Sequence, residues 1–91
     1  MLDVTQRRIL IVGGGAVAVR KASGLLHAGA TSIRCVAPQI APEMPPSVER
    51  VQREFRDSDI DGAAVVFAAT DSPQVNLRIL QQARQSILGS A

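Results

Sequence analysis

Apolar residues along this chain are concentrated in two continuous runs, each followed by a segment with helical spacing. The first run covers residues 9–12 and the second covers residues 63–69. An unbroken apolar run of four to eight residues is typical of a parallel strand that is covered by helices on both faces. The pattern therefore predicts strands at residues 9–13 and 63–69, and we expect the second of these to be a central strand.

Small and apolar residues recur at helical spacing after the first run. They include Ala18, Ala22 and Leu25, which predict a helix over about residues 15–27 with one buried face. Gly29 follows the last periodic position and suits a left-handed helix stop. The first predicted helix therefore has a clear end.

A second helix is predicted at about residues 73–85. Asp71 or Ser72 can cap its N-terminus, and Pro73 suits the first helical position. The expected buried face consists of Asn76, Ile79, Leu80, Ala83 and Ile87. The apolar pair at residues 87–88 has the character of the start of another strand.

The middle of the chain has weaker signals. Residues 32–37 predict a second strand, whereas residues 39–46 contain three prolines and predict a loop. Residues 48–55 fit an edge strand better than a helix. Residues 56–62 are a polar connection that has room for one helical turn.

The alternation of these elements predicts an α/β fold, with a Rossmann-like parallel sheet of about four strands and flanking helices. The right-handed crossover rule places the strand at residues 32–37 parallel to and beside the first strand. The expected strand order is 3-2-1-4, in a single domain over residues 1–91. The loops after the first and fourth strands would then flank one crevice.

The first of these loops contains the spacing Gly13-x-Gly15-x-x-Ala18. This is a dinucleotide fingerprint, in which Gly13 permits the turn, Gly15 lets the backbone approach a diphosphate, and Ala18 lets the helix lie close to the strand. The free N–H groups and positive end of the helix dipole attract an anion. We interpret this loop as a diphosphate site.

Composition excludes several other classes of function. The chain has a net charge of +2, two Phe, no Trp and no Tyr, so neither a strong basic patch nor a base-stacking platform for nucleic acid is expected. No apolar run reaches the length of a membrane span, and no signal peptide is recognised, so a cytoplasmic protein is expected. The single Cys35 excludes an internal disulfide and favours a small buried side chain.

Several polar residues have two possible roles. Asp71 is interpreted as a helix cap in preference to a general base. Arg20 and Lys21 are interpreted as a solvated helix face, although they could attract the carboxylates of a substrate.

No metal site is predicted. His27 lies near a helix C-terminus without a cluster of other ligands. Asp57, Asp59 and Asp61 lack the spacing of a calcium loop, so we interpret them as a solvated turn.

Four segments together resemble a known family. Residues 12–21, 26–30, 36–38 and 67–76 are similar to precorrin-2 dehydrogenase, the NAD-dependent module of siroheme synthase. The combination of G-G-G-x-V-A-x-R-K with A-A-T-D-x-P-x-V-N is much more specific than either motif alone. The resemblance implies oxidation of precorrin-2 to sirohydrochlorin by NAD, and the family also includes iron chelation into sirohydrochlorin.

The resemblance also implies roles for individual residues. By this resemblance, the glycine loop binds the diphosphate of the cofactor and the end of the second strand binds its adenosine. The loop after the fourth strand faces the nicotinamide. The cofactor-binding residues that we predict are Gly13, Gly14, Gly15, Ala16, Val17, Ala37, Pro38, Thr70 and Asp71. No catalytic residue is assigned.

The chain departs from the usual pattern in two ways. No acidic residue follows the glycines by about 20 positions, where residues 36–39 read Val-Ala-Pro-Gln, so the choice between NAD and NADP stays open. The family's catalytic aspartate and dimerisation segment would follow the last residue given, although the resemblance implies a homodimer. We therefore expect weak NAD binding without turnover by this chain alone, and a non-catalytic regulatory or redox-sensing module is the alternative.

Overall fold

The computed structural model describes residues 8–89, with side chains described up to residue 84. A sheet, two α-helices and a 3-10 helix make up this part of the chain. Its strands are β1 (Arg8–Val12), β2 (Ser32–Val36), β3 (Glu49–Val51) and β4 (Val65–Ala68), and its helices are α1 (Ala16–His27), α2 (Pro73–Gly89) and the 3-10 helix (Asp57–Ile60).

All four strands are parallel and lie in the order β3-β2-β1-β4. Ile11 of β1 is level with Cys35 of β2 and with Phe67 of β4, so the carboxyl ends of the three strands lie at one edge of the sheet. The predicted α/β fold class and the 3-2-1-4 order are confirmed.

The sheet separates two apolar clusters. On one face Ile9 and Ile11 pack with Ala18 and Ala22 of α1. On the other face Leu10 and Val12 pack in a second cluster, which includes residues of α2. Four consecutive apolar residues in β1 are therefore explained by burial on both faces. The small side chains of α1 let that helix lie close to the sheet.

The prediction that the fourth strand is central is wrong for the part of the chain that the structure describes. There β4 pairs with β1 alone, and its four residues are half-buried. Lys21 of α1 contacts β4 on the α1 face of the sheet, with its Nζ 4.8 Å from the centre of the Phe67 ring. Apolarity predicted the strand but could not predict how many neighbours it has.

Helix α2 is longer than predicted. It continues to Gly89, so the further strand expected at residues 87–88 is wrong. Ile79 is fully buried and Ala83 nearly so, whereas Leu80 is 50% exposed and does not belong to the buried face. A short apolar pair has no periodicity that separates a strand from a continuing helix.

The segment after β2 is mostly irregular, as its prolines predicted. Of residues 48–55, only those of β3 form a strand, at the edge of the sheet. The predicted left-handed stop of α1 is confirmed at Gly29, which has a φ of 97°. Within residues 8–89, no helix has the length and apolarity needed to cross a bilayer.

Candidate dinucleotide-binding site

A crevice of about 940 Å³ lies at the carboxyl edge of the sheet. It brings together three segments that the sequence analysis singled out: the glycine turn (residues 13–15), the end of β2, and the Thr70 loop (residues 70–72). Seven of the nine predicted residues line it, namely Gly13, Gly14, Gly15, Ala37, Pro38, Thr70 and Asp71. Ala16 and Val17 are not in its lining and lie in the exposed first turn of α1.

Gly13 forms the reversal between β1 and α1. Its φ is 135°, and a Cβ at this position would lie 2.2 Å from the carbonyl oxygen of Ala69. Its N–H donates to the carbonyl of Val36 over 3.0 Å. Only glycine fits here, because the backbone is left-handed and two neighbouring strands approach it closely.

Gly14 has a packing role that its position in the fingerprint did not indicate. A Cβ would lie 2.0 Å from the carbonyl oxygen of Gln39, and the Gly14 carbonyl accepts a 2.7 Å hydrogen bond from the N–H of Ala41. The glycine turn is therefore packed against the loop that follows β2. This contact joins the two segments that form one side of the crevice.

Gly15 differs from both, because a Cβ built on it would meet nothing within 4 Å. It is the N-cap of α1, and no side chain caps this end of the helix. The amides of the first turn have no acceptor within the helix, and the helix dipole adds partial positive charge at this point. The open side of Gly15 thus borders a surface that suits a phosphate group.

Cys35 supports the glycine turn from the adjacent strand. Its thiol donates a 2.9 Å hydrogen bond to the carbonyl of Gly13, and the residue is buried. Burial raises the pKa of the Cys35 thiol, outweighing the opposite influence of Arg50. The predicted small buried role is confirmed, and the protonated thiol also acts as a donor.

Side-chain hydrogen bonds shape the Thr70 loop. The Thr70 N–H donates to Oδ1 of Asn76 over 2.9 Å, and Nδ2 of Asn76 donates back to the Thr70 carbonyl over 3.1 Å. The N–H of Ser72 donates to Oγ1 of Thr70 over 3.2 Å. Asn76, predicted only as part of a buried helix face, therefore fixes the loop that precedes its own helix.

The prediction that Asp71 caps α2 is wrong. The cap is Ser72, whose Oγ accepts a 3.3 Å hydrogen bond from the N–H of Val75. Asp71 is exposed at the crevice, and within residues 8–89 no hydrogen bond or ion pair involves its side chain. The capping function is complete without it, so its carboxylate is not used in holding the loop.

The crevice is completed by residues after β3 and on α2, which were not among the predicted site residues. Glu54 and Phe55 come from the segment after β3, and Val75, Arg78 and Ile79 from α2. The spacing of Val75, Arg78 and Ile79 is a helical signal that could have placed them on one face. No sequence signal places residues after β3 beside the end of β2.

The segment after β3 is held by a charged pair. Nη1 of Arg53 donates to Asp59 over 2.9 Å and to the Glu54 carbonyl over 3.0 Å, while the Arg56 N–H donates to Asp59 over 2.8 Å. The hydrogen bond from Arg53 is the main cause of the lowered pKa of Asp59, which burial opposes. Asp59 is therefore a buried structural partner, and the prediction that it belongs to a solvated turn is wrong.

The charged residues of α1 do not line the crevice. Arg20 and His27 are exposed, and Lys21 packs over Phe67 at the β4 edge instead. Within the described residues, Arg78 is the one cationic side chain of the lining. Its Nη2 lies 3.9 Å from Oδ1 of Asp57, and both side chains are largely exposed.

The sheet order and the glycine turn define a Rossmann-like α/β domain, the class that binds dinucleotides at this edge. The model of the family described as "Putative NAD(P)-binding" matches residues 1–90. The chain belongs to this NAD(P)-binding family, and the cofactor class is accordingly a nicotinamide dinucleotide.

Named relatives agree with the resemblance stated above. A siroheme synthase of Azotobacter vinelandii is 40% identical over 84 residues, which cover 87% of this chain and 18% of the relative. A siroheme synthase of Chromobacterium violaceum is 41% identical over 87 residues, which cover 90% of this chain and 18% of the relative. Thus the chain spans less than a fifth of the length of these curated relatives.

A solved structure matches as well. The protein titled "SirC, precorrin-2 dehydrogenase" superposes with a TM-score of 0.76 at 28% identity, covering 89% of this chain and 42% of that one. The predicted resemblance to precorrin-2 dehydrogenase and siroheme synthase is confirmed.

Proposed function

We propose that this chain binds NAD in the carboxyl-edge crevice and is the cofactor-binding part of an enzyme that oxidises precorrin-2 to sirohydrochlorin. The observation that carries the proposal is the glycine turn, where Gly13 and Gly14 are packed against protein but the side of Gly15 is open at a helix N-terminus. The proposed substrate is inferred from the relatives, which are named siroheme synthase and precorrin-2 dehydrogenase.

In this proposal each wall of the crevice has a separate task. The amides at the start of α1 bind the diphosphate, since they lack acceptors and carry the positive end of the dipole. Ala37 and Pro38 border the adenosine end, and the Thr70 loop borders the nicotinamide side. NAD held there would supply the hydride acceptor for oxidation of the reduced tetrapyrrole.

We propose that the crevice binds NAD in preference to NADP. A 2′-phosphate on the adenosine ribose is usually accommodated by a nearby arginine. Among the described residues that line the crevice at the ends of β2 and β3, none is cationic, and Glu54 is negatively charged. The one cation of the described lining, Arg78, comes from α2 and lies 3.9 Å from the carboxylate of Asp57.

A non-catalytic module that senses the redox state is the alternative, because no catalytic residue is assigned. The unused Asp71 carboxylate at the crevice favours the enzyme, since a proton acceptor placed there could serve an oxidation. The homodimer and the cytoplasmic location stay predictions.

Two measurements on the purified chain test the proposal. Calorimetric titration with NAD should give saturable binding, and its absence would contradict the cofactor site. Absorbance should then be followed after enzymatically prepared precorrin-2 is added with NAD to this chain. We expect NAD to bind without turnover, and turnover would contradict both the prediction of a cofactor-binding part alone and the redox-sensing alternative.

A further inference from the structure

The end of β2 lacks the carboxylate that commonly binds the adenosine ribose in this fold. Ala37 and Pro38 occupy that position, and Gln39 next to them is uncharged. In the structure this end of the crevice nevertheless has a carboxylic acid, because Glu54 also belongs to the lining. It comes from the segment after the neighbouring strand.

The two strands bring Glu54 to the correct edge of the sheet. Val36, the last residue of β2, is level with Val51, the last residue of β3. The Ala37 N–H donates to the Val51 carbonyl over 3.2 Å, so the chains leave the sheet side by side. Glu54 follows three residues later and lines the same crevice as Ala37 and Pro38.

The backbone at Glu54 is fixed on both sides. Arg53 donates to the Glu54 carbonyl while its guanidinium is held by Asp59. Phe55 packs against the apolar cluster on the α2 face of the sheet. The backbone that carries Glu54 is therefore already ordered, so ligand binding does not have to pay for ordering it.

The Glu54 carboxylate has no protein partner within residues 8–89, and the residue is exposed. Arg53, its nearest basic neighbour in the chain, is neutralised by Asp59, with one of the two hydrogen bonds at 2.5 Å. Arg78, on the α2 wall, is next to Asp57 instead. Glu54 therefore lines the crevice without an ion pair to a described residue.

We propose that Glu54 is the specificity-determining residue of the adenosine end, where its carboxylate accepts hydrogen bonds from the ribose hydroxyls of NAD. It takes over, from the third strand, the role that an acidic residue at the end of β2 would have. The same charge repels the 2′-phosphate of NADP, so one side chain both favours NAD and disfavours NADP. This proposal rests on the proposed binding of NAD in the crevice.

The test is the ratio of the dissociation constants for NADP and NAD, measured by calorimetry on the full chain. Glu54→Gln removes the charge and retains the size of the side chain. We expect it to weaken NAD binding about tenfold, as for the loss of a hydrogen bond to a charged group. NADP binding should be unchanged or tighter, so the ratio falls.

Glu43→Gln is the matched control, because Glu43 is exposed but is not in the crevice lining. The ratio of the dissociation constants for NADP and NAD should be the same in Glu43→Gln as in the unsubstituted chain. If the unsubstituted chain does not bind NAD, the proposed function fails and the Glu54 proposal fails with it. If the chain binds NAD but Glu54→Gln leaves the ratio unchanged, only the Glu54 proposal is overturned. Circular dichroism melting of both variants checks that the fold is retained.

Discussion

The glycine turn after β1 and the Thr70 loop after β4 lie at the same edge of the sheet but are built in opposite ways. Missing side chains make the glycine turn possible, since Cβ atoms on Gly13 and Gly14 would collide with neighbouring backbone. Side chains hold the Thr70 loop in place, through the hydrogen bonds of Asn76 and the cap by Ser72.

The difference indicates which polar groups remain for a ligand. In the glycine turn, packing fixes the backbone and leaves the first amides of α1 without acceptors in the helix. In the Thr70 loop, internal hydrogen bonds use the polar groups of Thr70 and Asn76, and Asp71 is left over. We conclude that the first loop is suited to bind an anion and the second to form a rigid wall.

The largest effect is expected for Gly13→Ala. A left-handed backbone and a Cβ 2.2 Å from the Ala69 carbonyl oxygen should together lower the free energy of unfolding by about 3 kcal/mol or more. Urea denaturation followed by far-UV circular dichroism measures this change. Gly24→Ala is the control, since Gly24 lies within α1 and its Cβ would meet nothing within 4 Å. Equal stability of the two variants would contradict the close packing of the turn.

A smaller effect is expected in the Thr70 loop. Asn76→Ala removes the acceptor of the Thr70 N–H and should lower the free energy of unfolding by roughly 1–3 kcal/mol, because a partly buried donor loses its partner. Gln81→Ala, at an exposed position of the same helix, controls for the change in helix composition. Thermal melting compares the two variants. If Asn76→Ala melts at the same temperature as Gln81→Ala, the loop does not depend on the Asn76 side chain.

The smallest effect concerns the charged pair after β3, which resembles the Thr70 loop in using side chains. The pKa of Asp59 is lowered in the folded chain, chiefly by its hydrogen bond from Arg53. In the unfolded chain an Asp titrates near pH 3.9. The contribution of Asp59 is therefore complete above that pH and is lost as pH falls through the lower folded pKa.

Urea denaturation at a series of pH values below about 5 checks this dependence. The free energy of unfolding should fall with decreasing pH less steeply in Asp59→Asn than in the unsubstituted chain. Asp61→Asn serves as a control for removing one negative charge from the same segment. An identical pH dependence in Asp59→Asn and the unsubstituted chain would contradict the structural role of Asp59.

The sheet order could be predicted because it follows from local signals. Continuous apolar runs, a glycine turn and a helix between β1 and β2 leave one common arrangement of these two strands. That β4 lies at the edge of the described sheet, and is not central, could not be predicted from its apolarity, because apolarity does not specify the number of neighbouring strands. The extent of α2 was missed for a similar reason, since residues 87–88 suit a strand or a helix equally.

The candidate site was predicted best where a residue's role is a property of its own backbone. Gly13 is an example, since a tight turn requires glycine whatever surrounds it. The packing of Gly14 against Gln39 depends on a loop 25 residues later, and no spacing rule covers it. Glu54 was missed because it reaches the crevice only through the pairing of β3 with β2.

The most direct test of the central claim compares NAD binding by Gly15→Val and Gly24→Val. Both glycines have open space at the Cβ position, so both variants should fold, but only Gly15 borders the crevice. Calorimetric titration with NAD should show that Gly15→Val abolishes binding by obstructing the diphosphate, whereas Gly24→Val binds as the unsubstituted chain does. Equal affinity of a folded Gly15→Val variant would contradict the placement of the dinucleotide at the glycine turn.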